Sequence, residues 1–283
     1  MGAYGVGIGW RQEIAGYLAT LPGLRFVEVI AESLPGPGGS APPELMELCD
    51  RGVAVVPHGM RLNLGGAEPL EPGRVAHLAH CASLVGAPLC SEHIAFVRAG
   101  GTEAGHLLPL PRSWDAVHTI VDNARRTMAE LPVPLALEPI AALLEWPDDE
   151  LTEAQFLTEI IERTEAGLLL DIANVYANAR NRGEDPLALL DALPLERVAY
   201  VHIAGGSVRE DGLYHDTHTD PTPPEVLELI TALCERCDPP ALMLERDGHY
   251  PPSDELTAEL DAIADAAGRP RITVGATPTA ALA

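Results

Sequence analysis

Short apolar runs alternate along the chain with longer stretches in which apolar residues recur at helical spacing. The runs are GVGIGW (5–10), FVEVIAES (26–33), VAVVPHG (53–59), PLCSEHIAF (88–96), PLALEPI (134–140), GLLLDIAN (167–174), VAYVHIAG (198–205) and ALMLERDG (241–248). Being nearly continuous and bounded by Gly and Pro, they predict strands buried on both faces of a parallel sheet. Between them SWDAVHTIVDNARRTMAEL (113–131) reads as a helix capped by Ser113, and LTEAQFLTEIIERT (151–164) as one capped by Thr152. TPPEVLELITALCERC (222–237) carries prolines that suit a first helical turn. Eight strands, each followed by a helix, predict a single-domain (β/α)₈ barrel of the TIM type. No Gly/Ser linker or charge run divides the chain, so the barrel is expected over 1–267, with 268–283 as a flexible tail.

Charge narrows the chemistry. The 283 residues hold 42 acids against 18 bases, a net charge of −24, which argues against a nucleic-acid groove. Every base is arginine. Without lysine there is no Schiff base, no pyridoxal-phosphate attachment and no Walker-type phosphate loop. No apolar stretch is long enough to span a membrane, and MGAYGVGIGWRQE lacks the layout of a signal peptide, so a cytoplasmic location is expected. The five cysteines are scattered and odd in number, against a disulfide framework, and CERC at 234–237 reads as two helix cysteines.

The polar residues then fall in register. In TIM barrels catalytic groups sit at the C-terminal strand ends. Here the third to eighth strands end in His58, His93, Glu138, Asp171 with Asn174, His202, and Glu245 with Asp247. Such groups converging on one mouth repel one another unless a cation compensates them. Carboxylates and imidazoles without thiolates suit iron, manganese or zinc. Glu138, central in strand order, is placed to bridge two ions. In YHDTHTD (214–220), taken as the loop after the seventh strand, Asp216 and His218 stand two residues apart; in an extended segment both face the same side and clamp one ion. Tyr214, His215 and Asp220 are left to the loop. Arg11 and Arg246 are candidates for an anionic substrate group or for structural ion pairs. His77 and His80 fall on a helix surface, and His249 follows the eighth strand.

GIGWR, EVIAES, PHGMRLNLGG, SEHIAF, LLPLP, LLLDIANVYANARNRGEDP, VHIAGG, DTHTDP and LERDG, in that order, resemble the DUF692 family, the multinuclear non-heme iron-dependent oxidative enzymes of the methanobactin-biosynthesis kind. The resemblance implies a xylose-isomerase-like TIM barrel holding two or three irons, mixed Fe(II) and Fe(III), with dioxygen as co-substrate. It implies oxidation of a residue, Cys or else Asp or Asn, in a ribosomally synthesised precursor peptide, and a separate partner protein that binds the peptide leader. Carried over by motif, His58, His93 and Glu138 hold one iron. Glu138 bridges to a second held by Asp171, His202 and Glu245, and Asn174, Asp216 and His218 hold a third. Glu138, Asp171 and His202 are the catalytic candidates, and Arg11, Glu32 and Asp247 the substrate-side ones. Two departures lie near the substrate mouth: Pro139 where the family has Asn, and AESL at the end of the second strand. The rival readings are a divalent-metal isomerase or endonuclease-IV-like barrel, which lack here the lysine and the basic groove they would need, and a non-catalytic metal-binding protein.

Overall fold

The computed structural model describes residues 4–274. Its strands are β1 (Gly5–Gly9), β2 (Phe26–Ile30), β3 (Ala54–Gly59), β4 (Cys90–His93), β5 (Phe96–Ala99), β6 (Thr102–Leu108), β7 (Leu135–Glu138), β8 (Gly167–Asp171), β9 (Val198–Ile203), β10 (Gly205–Val208), β11 (Tyr214–Asp220) and β12 (Ala241–Leu244). Eight of them close a parallel barrel in the order β1-β2-β3-β4-β7-β8-β9-β12, with β12 pairing back to β1. All eight lie inside the apolar runs read from the sequence.

The helices are α1 (Ala15–Leu18), α2 (Pro43–Asp50), α3 (Pro72–Val85), α4 (Trp114–Glu130), α5 (Glu153–Thr164), α6 (Ile172–Arg182), α7 (Pro186–Ala192), α8 (Pro224–Arg236) and α9 (Ser253–Ala266). Local chemistry explains where several begin. Ser113 accepts from the Ala116 amide at the start of α4, and Thr152 forms a reciprocal capping box with Gln155 before α5. Pro224 opens α8, where its missing N–H is not needed. Among the described residues no helix is long and apolar enough to cross a membrane.

The barrel interior is filled from below. Phe26, Val56, Leu89, Ala136, Leu169, Tyr200, Ala241 and Met243 form one buried cluster inside the strands. Gly7 makes room for it, since a Cβ there would lie 2.3 Å from the Phe26 ring. A larger apolar layer joins the outer strand faces to the helices. With its lower end packed by apolar side chains, the barrel gathers its charged groups toward the upper end.

Two differences from the sequence reading bear on the site. The stretches after the fourth and seventh barrel strands are antiparallel hairpins, β5–β6 and β10–β11. YHDTHTD is therefore a strand rather than a loop. Gly205 and Gly206 let it approach: a Cβ on either would sit 2.2 Å from the backbone oxygen of Asp220 or His215. Of the expected tail, residues 268–274 are described, and Arg269 and Ile272 tie this stretch to the barrel. Ile272 is buried, and its carbonyl accepts from the Gly23 amide at 2.9 Å. Residues 275–283 lie outside the described residues.

Candidate metal centre

The C-terminal ends of six barrel strands, with Glu245 one residue beyond β12, bring His58, His93, Glu138, Asp171, His202 and Glu245 into one buried layer above the apolar plug. Among the described residues four groups of side chains offer ligand atoms within 4.8 Å of one another: His58–His93–Glu138, Glu138–Asp171–His202–Glu245, Asp171–Asp216–His218 and His218–Glu245–Asp247. Glu138 joins the first two. Its Oε2 lies 3.4 Å from His58 Nε2 and 3.2 Å from His93 Nε2, while its Oε1 lies 3.1 Å from His202 Nδ1. One carboxylate thus turns one oxygen to each lobe.

The imidazoles are held by their outward nitrogens. His58 Nδ1 is 2.8 Å from Ser91 Oγ, His93 Nδ1 donates to the Gly59 carbonyl at 3.1 Å, and His202 Nε2 is 2.7 Å from Glu28 Oε2. This leaves His58 Nε2, His93 Nε2 and His202 Nδ1 facing the centre, as metal-ligating histidines require. Gly59 is tied to its place because a Cβ there would meet the Glu92 carboxylate at 2.6 Å. Glu92 in turn accepts from the backbone amides of Leu62 and His93, fixing both chain segments.

The hairpin completes the upper side. His218 sits at φ +55, so the chain kinks there instead of running extended, yet Asp216 and His218 still meet, with His218 Nε2 2.5 Å from Asp216 Oδ2. His218 Nδ1 faces Glu245 Oε1 at 3.3 Å and Asp247 at 3.6 Å. Asp171 caps α6, its Oδ1 accepting from the Ala173 and Asn174 amides, which leaves Oδ2 for the cavity.

Electrostatics show what a cation would relieve. Burial pushes Glu138 up, but the charges of His202, His93 and His58 outweigh it and hold the carboxyl at about 2. Burial likewise opposes Glu245, which His218 and His202 hold well below the carboxylate range. The imidazoles answer in kind. Burial disfavours their charge, yet Glu138 and Glu92 raise His93 to about 9, and Glu28 and Glu138 raise His202 well above its usual value. His218 is raised by Glu245 and Asp216 against the same burial. Burial also pushes Asp171 well above the carboxylate range, with Asp216 and Glu138 adding to it. Protons therefore neutralise the layer when nothing else does.

The donor set fits a metal. Glu138 Oε2, Asp171 Oδ2, Asn174 Oδ1 and Asp216 Oδ1 are buried oxygens without a hydrogen-bond partner. Orphaned buried acceptors are rare in folded proteins, and four of them on neighbouring residues match the missing partner to a cation. Nitrogen and oxygen donors suit iron, manganese or zinc. Cys90 does not compete: burial pushes its thiol up to about 12.

The remaining predicted residues divide. Arg11 is engaged, its Nε donating to Asp247 Oδ1 at 2.9 Å and its guanidinium 4.0 Å from Glu245. Arg246 turns away from the mouth to the Asp220 carbonyl and Glu259, and its role is structural. Glu32 accepts from the Met60 amide and stands outside the ligand groups, beside a cavity of about 260 Å³ that also holds His106 and Leu107. His77 bonds the Ala31 carbonyl, and His249 is exposed. Glu28, Ser91, Tyr200 and Glu92 are buried polar residues beneath the centre that sequence reasoning did not single out. Their signal was available for Glu28, a lone acid in the apolar run FVEVI. A cavity of about 400 Å³ opens above the layer; its lining includes Glu138, His93, Asn174, Asp216 and His218, the apolar Met60, Leu107, Ile140 and Leu143, and two further imidazoles, His106 and His215.

The family model described as RiPP precursor modification enzyme MbnB/TglH/ChrH matches residues 5–268. A UPF0276 protein of Streptomyces avermitilis is 51% identical over 270 residues, which cover 93% of this chain and 55% of that protein. The chain thus spans about half the length of that relative. A UPF0276 protein of Anaeromyxobacter sp. is 36% identical over 257 residues, covering 90% of each chain. Among solved structures, endonuclease IV from Thermus thermophilus superposes with a TM-score of 0.61 at 23% identity, over 92% of this chain and 99% of that one. A xylose isomerase domain protein from Planctomyces limnophilus gives 0.57 at 18% identity, over 94% and 97%. These two share the fold, a closed xylose-isomerase-like barrel.

Proposed function

Because the chain belongs to the MbnB/TglH/ChrH family of RiPP precursor modification enzymes, the family of the UPF0276 and DUF692 proteins, we propose that it is a multinuclear non-heme iron enzyme that oxidises a residue of a ribosomally synthesised precursor peptide with dioxygen. The residue oxidised is Cys or, in the second place, Asp or Asn. The observation that carries this reading is the buried layer of imidazoles and carboxylates with four orphaned oxygens, joined at Glu138.

His58, His93 and Glu138 would hold one ion, and Glu138, Asp171, His202 and Glu245 the second. Asn174, Asp216 and His218 would hold a third, with Asp247 beside them. Bound iron supplies the electron transfer and dioxygen chemistry that the side chains lack. The protein's part is geometry and shielding. Glu138, Asp171 and His202 sit where the lobes meet, fixed by the hydrogen bonds already described, so the ligands are preorganised. The cavity above admits a side chain of the peptide, and Met60, Leu107, Ile140 and Leu143 give its lining an apolar part for that side chain to pack against. Arg11 holds Asp247 and Glu245 in place, which makes it a support of the ligands rather than a substrate anchor.

A separate protein that captures the peptide leader is part of the proposal, as is a cytoplasmic location. The rival barrel activities find less support: the chain has no lysine and no excess of basic charge for a nucleic-acid backbone. Anaerobic reconstitution with Fe(II), followed by metal analysis, tests the reading. At least two irons per chain and dioxygen consumption dependent on a cognate peptide are expected. Zinc alone, or less than one iron per chain, overturns it.

A further inference from the structure

Beneath the ligand layer lies a chain of buried polar groups that no apolar core needs, and its role rests on the metal-centre reading above. We infer that Glu28 is a positioning residue, acting directly on His202 and through Tyr200 and Ser91 on His58, that sets which nitrogen of each faces the metals. Glu28, Ser91 and Tyr200 are each 0% exposed and come from β2, β4 and β9, strands that are not neighbours in the barrel. Tyr200 Oη lies 2.6 Å from Glu28 Oε2 and 2.6 Å from Ser91 Oγ; Ser91 Oγ lies 2.8 Å from His58 Nδ1; and Glu28 Oε2 lies 2.7 Å from His202 Nε2.

The direction of these bonds follows from the one group that only accepts. An ionised carboxylate has no hydrogen to give, so His202 Nε2 and Tyr200 Oη both donate to Glu28. The Tyr200 hydroxyl has then spent its single hydrogen, and its oxygen accepts from Ser91. Ser91, having donated, accepts from His58 Nδ1–H. One anion therefore orders both ends: it fixes the outer hydrogens on His58 Nδ1 and His202 Nε2, so that His58 Nε2 and His202 Nδ1, the two atoms that face Glu138, are the ones a metal would take. His93 is outside the chain, since its outer nitrogen is held by the Gly59 carbonyl. It is a built-in control.

Zn²⁺, which is diamagnetic, tests this without any iron or dioxygen chemistry. Long-range ¹H–¹⁵N spectra of the Zn²⁺-loaded protein should show the hydrogen on Nδ1 of His58 and Nε2 of His202. In Glu28→Gln both signals, and in Tyr200→Phe that of His58, should shift or split, and Zn²⁺ affinity should fall about 10–100-fold, the usual effect of losing an outer partner; the His93 signals should stay. Ser91→Ala, which removes one hydroxyl and is least able to harm folding, should disturb His58 alone. Metal-free circular dichroism checks that each variant folds. Hydrogens on the opposite nitrogens, or wild-type affinity and spectra in all three variants, would overturn the inference. So would loss of one whole Zn²⁺ from Glu28→Gln, which would make Glu28 a ligand. If the wild-type protein binds no Zn²⁺, Fe²⁺ or Mn²⁺, the metal-centre reading itself fails.

Discussion

Asn174 gives its side-chain N–H to the Pro139 carbonyl at 3.2 Å, and by doing so turns its Oδ1 into the cavity, where it is buried without a hydrogen-bond partner. The proline that departs from the family pattern thus serves through its backbone, which any residue would supply. Pro139→Asn is expected to leave metal content unchanged, whereas Asn174→Leu, which loses both the anchor and the oxygen, should remove the third ion and leave two. Metal analysis after gel filtration distinguishes the outcomes, and a lower content in Pro139→Asn would contradict this account.

Glu138 is the joint of the site. Replacing it with Gln withdraws the charge that His58, His93 and His202 share, so both lobes should weaken together and iron should fall below one per chain. The metal-free protein should also lose about 3 kcal/mol, because removing one partner strands buried charge. Urea denaturation of the metal-free forms reads the second effect. Loss of one ion with the other retained would show that the lobes do not share this residue.

The metal-free protein should respond to pH in a defined direction. His93 is raised from 6.5 to about 9, so the stability it contributes is complete below its ordinary value and is lost as pH rises through about 9. Glu138 is lowered from 4.5 to about 2, so its contribution is present above 4.5 and lost as pH falls through about 2. Metal-free stability from this pair should therefore be greatest between 4.5 and 6.5. Metal binding must displace the imidazole protons, so apparent affinity should climb with pH over the same alkaline range and loading should release protons. Calorimetric titration of Mn²⁺ in buffers of different ionisation enthalpy measures the release; none at neutral pH would show that these imidazoles are already neutral.

Asp216 and His218 hang the hairpin onto the centre. Asp216→Ala and His218→Ala should each lower the most weakly held ion or the activity by about tenfold or more, and because each leaves a buried partner uncompensated, metal-free stability should fall as well. Unchanged metal content and turnover in both variants would remove the hairpin from the site.

The barrel was legible because its strands are buried on two faces and write themselves as continuous apolar runs. The cluster of polar strand ends was legible because six consecutive barrel strands close on a His, Asp or Glu, where one alone would pass as a structural group. The hairpins were not. β6 and β11 are polar and antiparallel, and the pairing of β11 depends on Gly205 and Gly206 rather than on any apolar pattern. Arg246 and Arg11 follow strand ends as the ligands do, and only the three-dimensional partners Glu259 and Asp247 show that both are already paired. Glu28 was hidden by its surroundings: four apolar neighbours in β2 made one acid look incidental.

The packed lower barrel has a kinetic consequence. Phe26, edge-on to Tyr200 at 6.1 Å and close to Tyr4 at 6.2 Å, stoppers the interior together with Met243 and Leu169. Metal, gas and peptide must then queue at a single entrance. The order of arrival is thereby constrained, with ions first and peptide last, and a seated peptide becomes a cork that slows escape of the metals behind it. Chelators should strip the resting enzyme faster than the peptide-bound one.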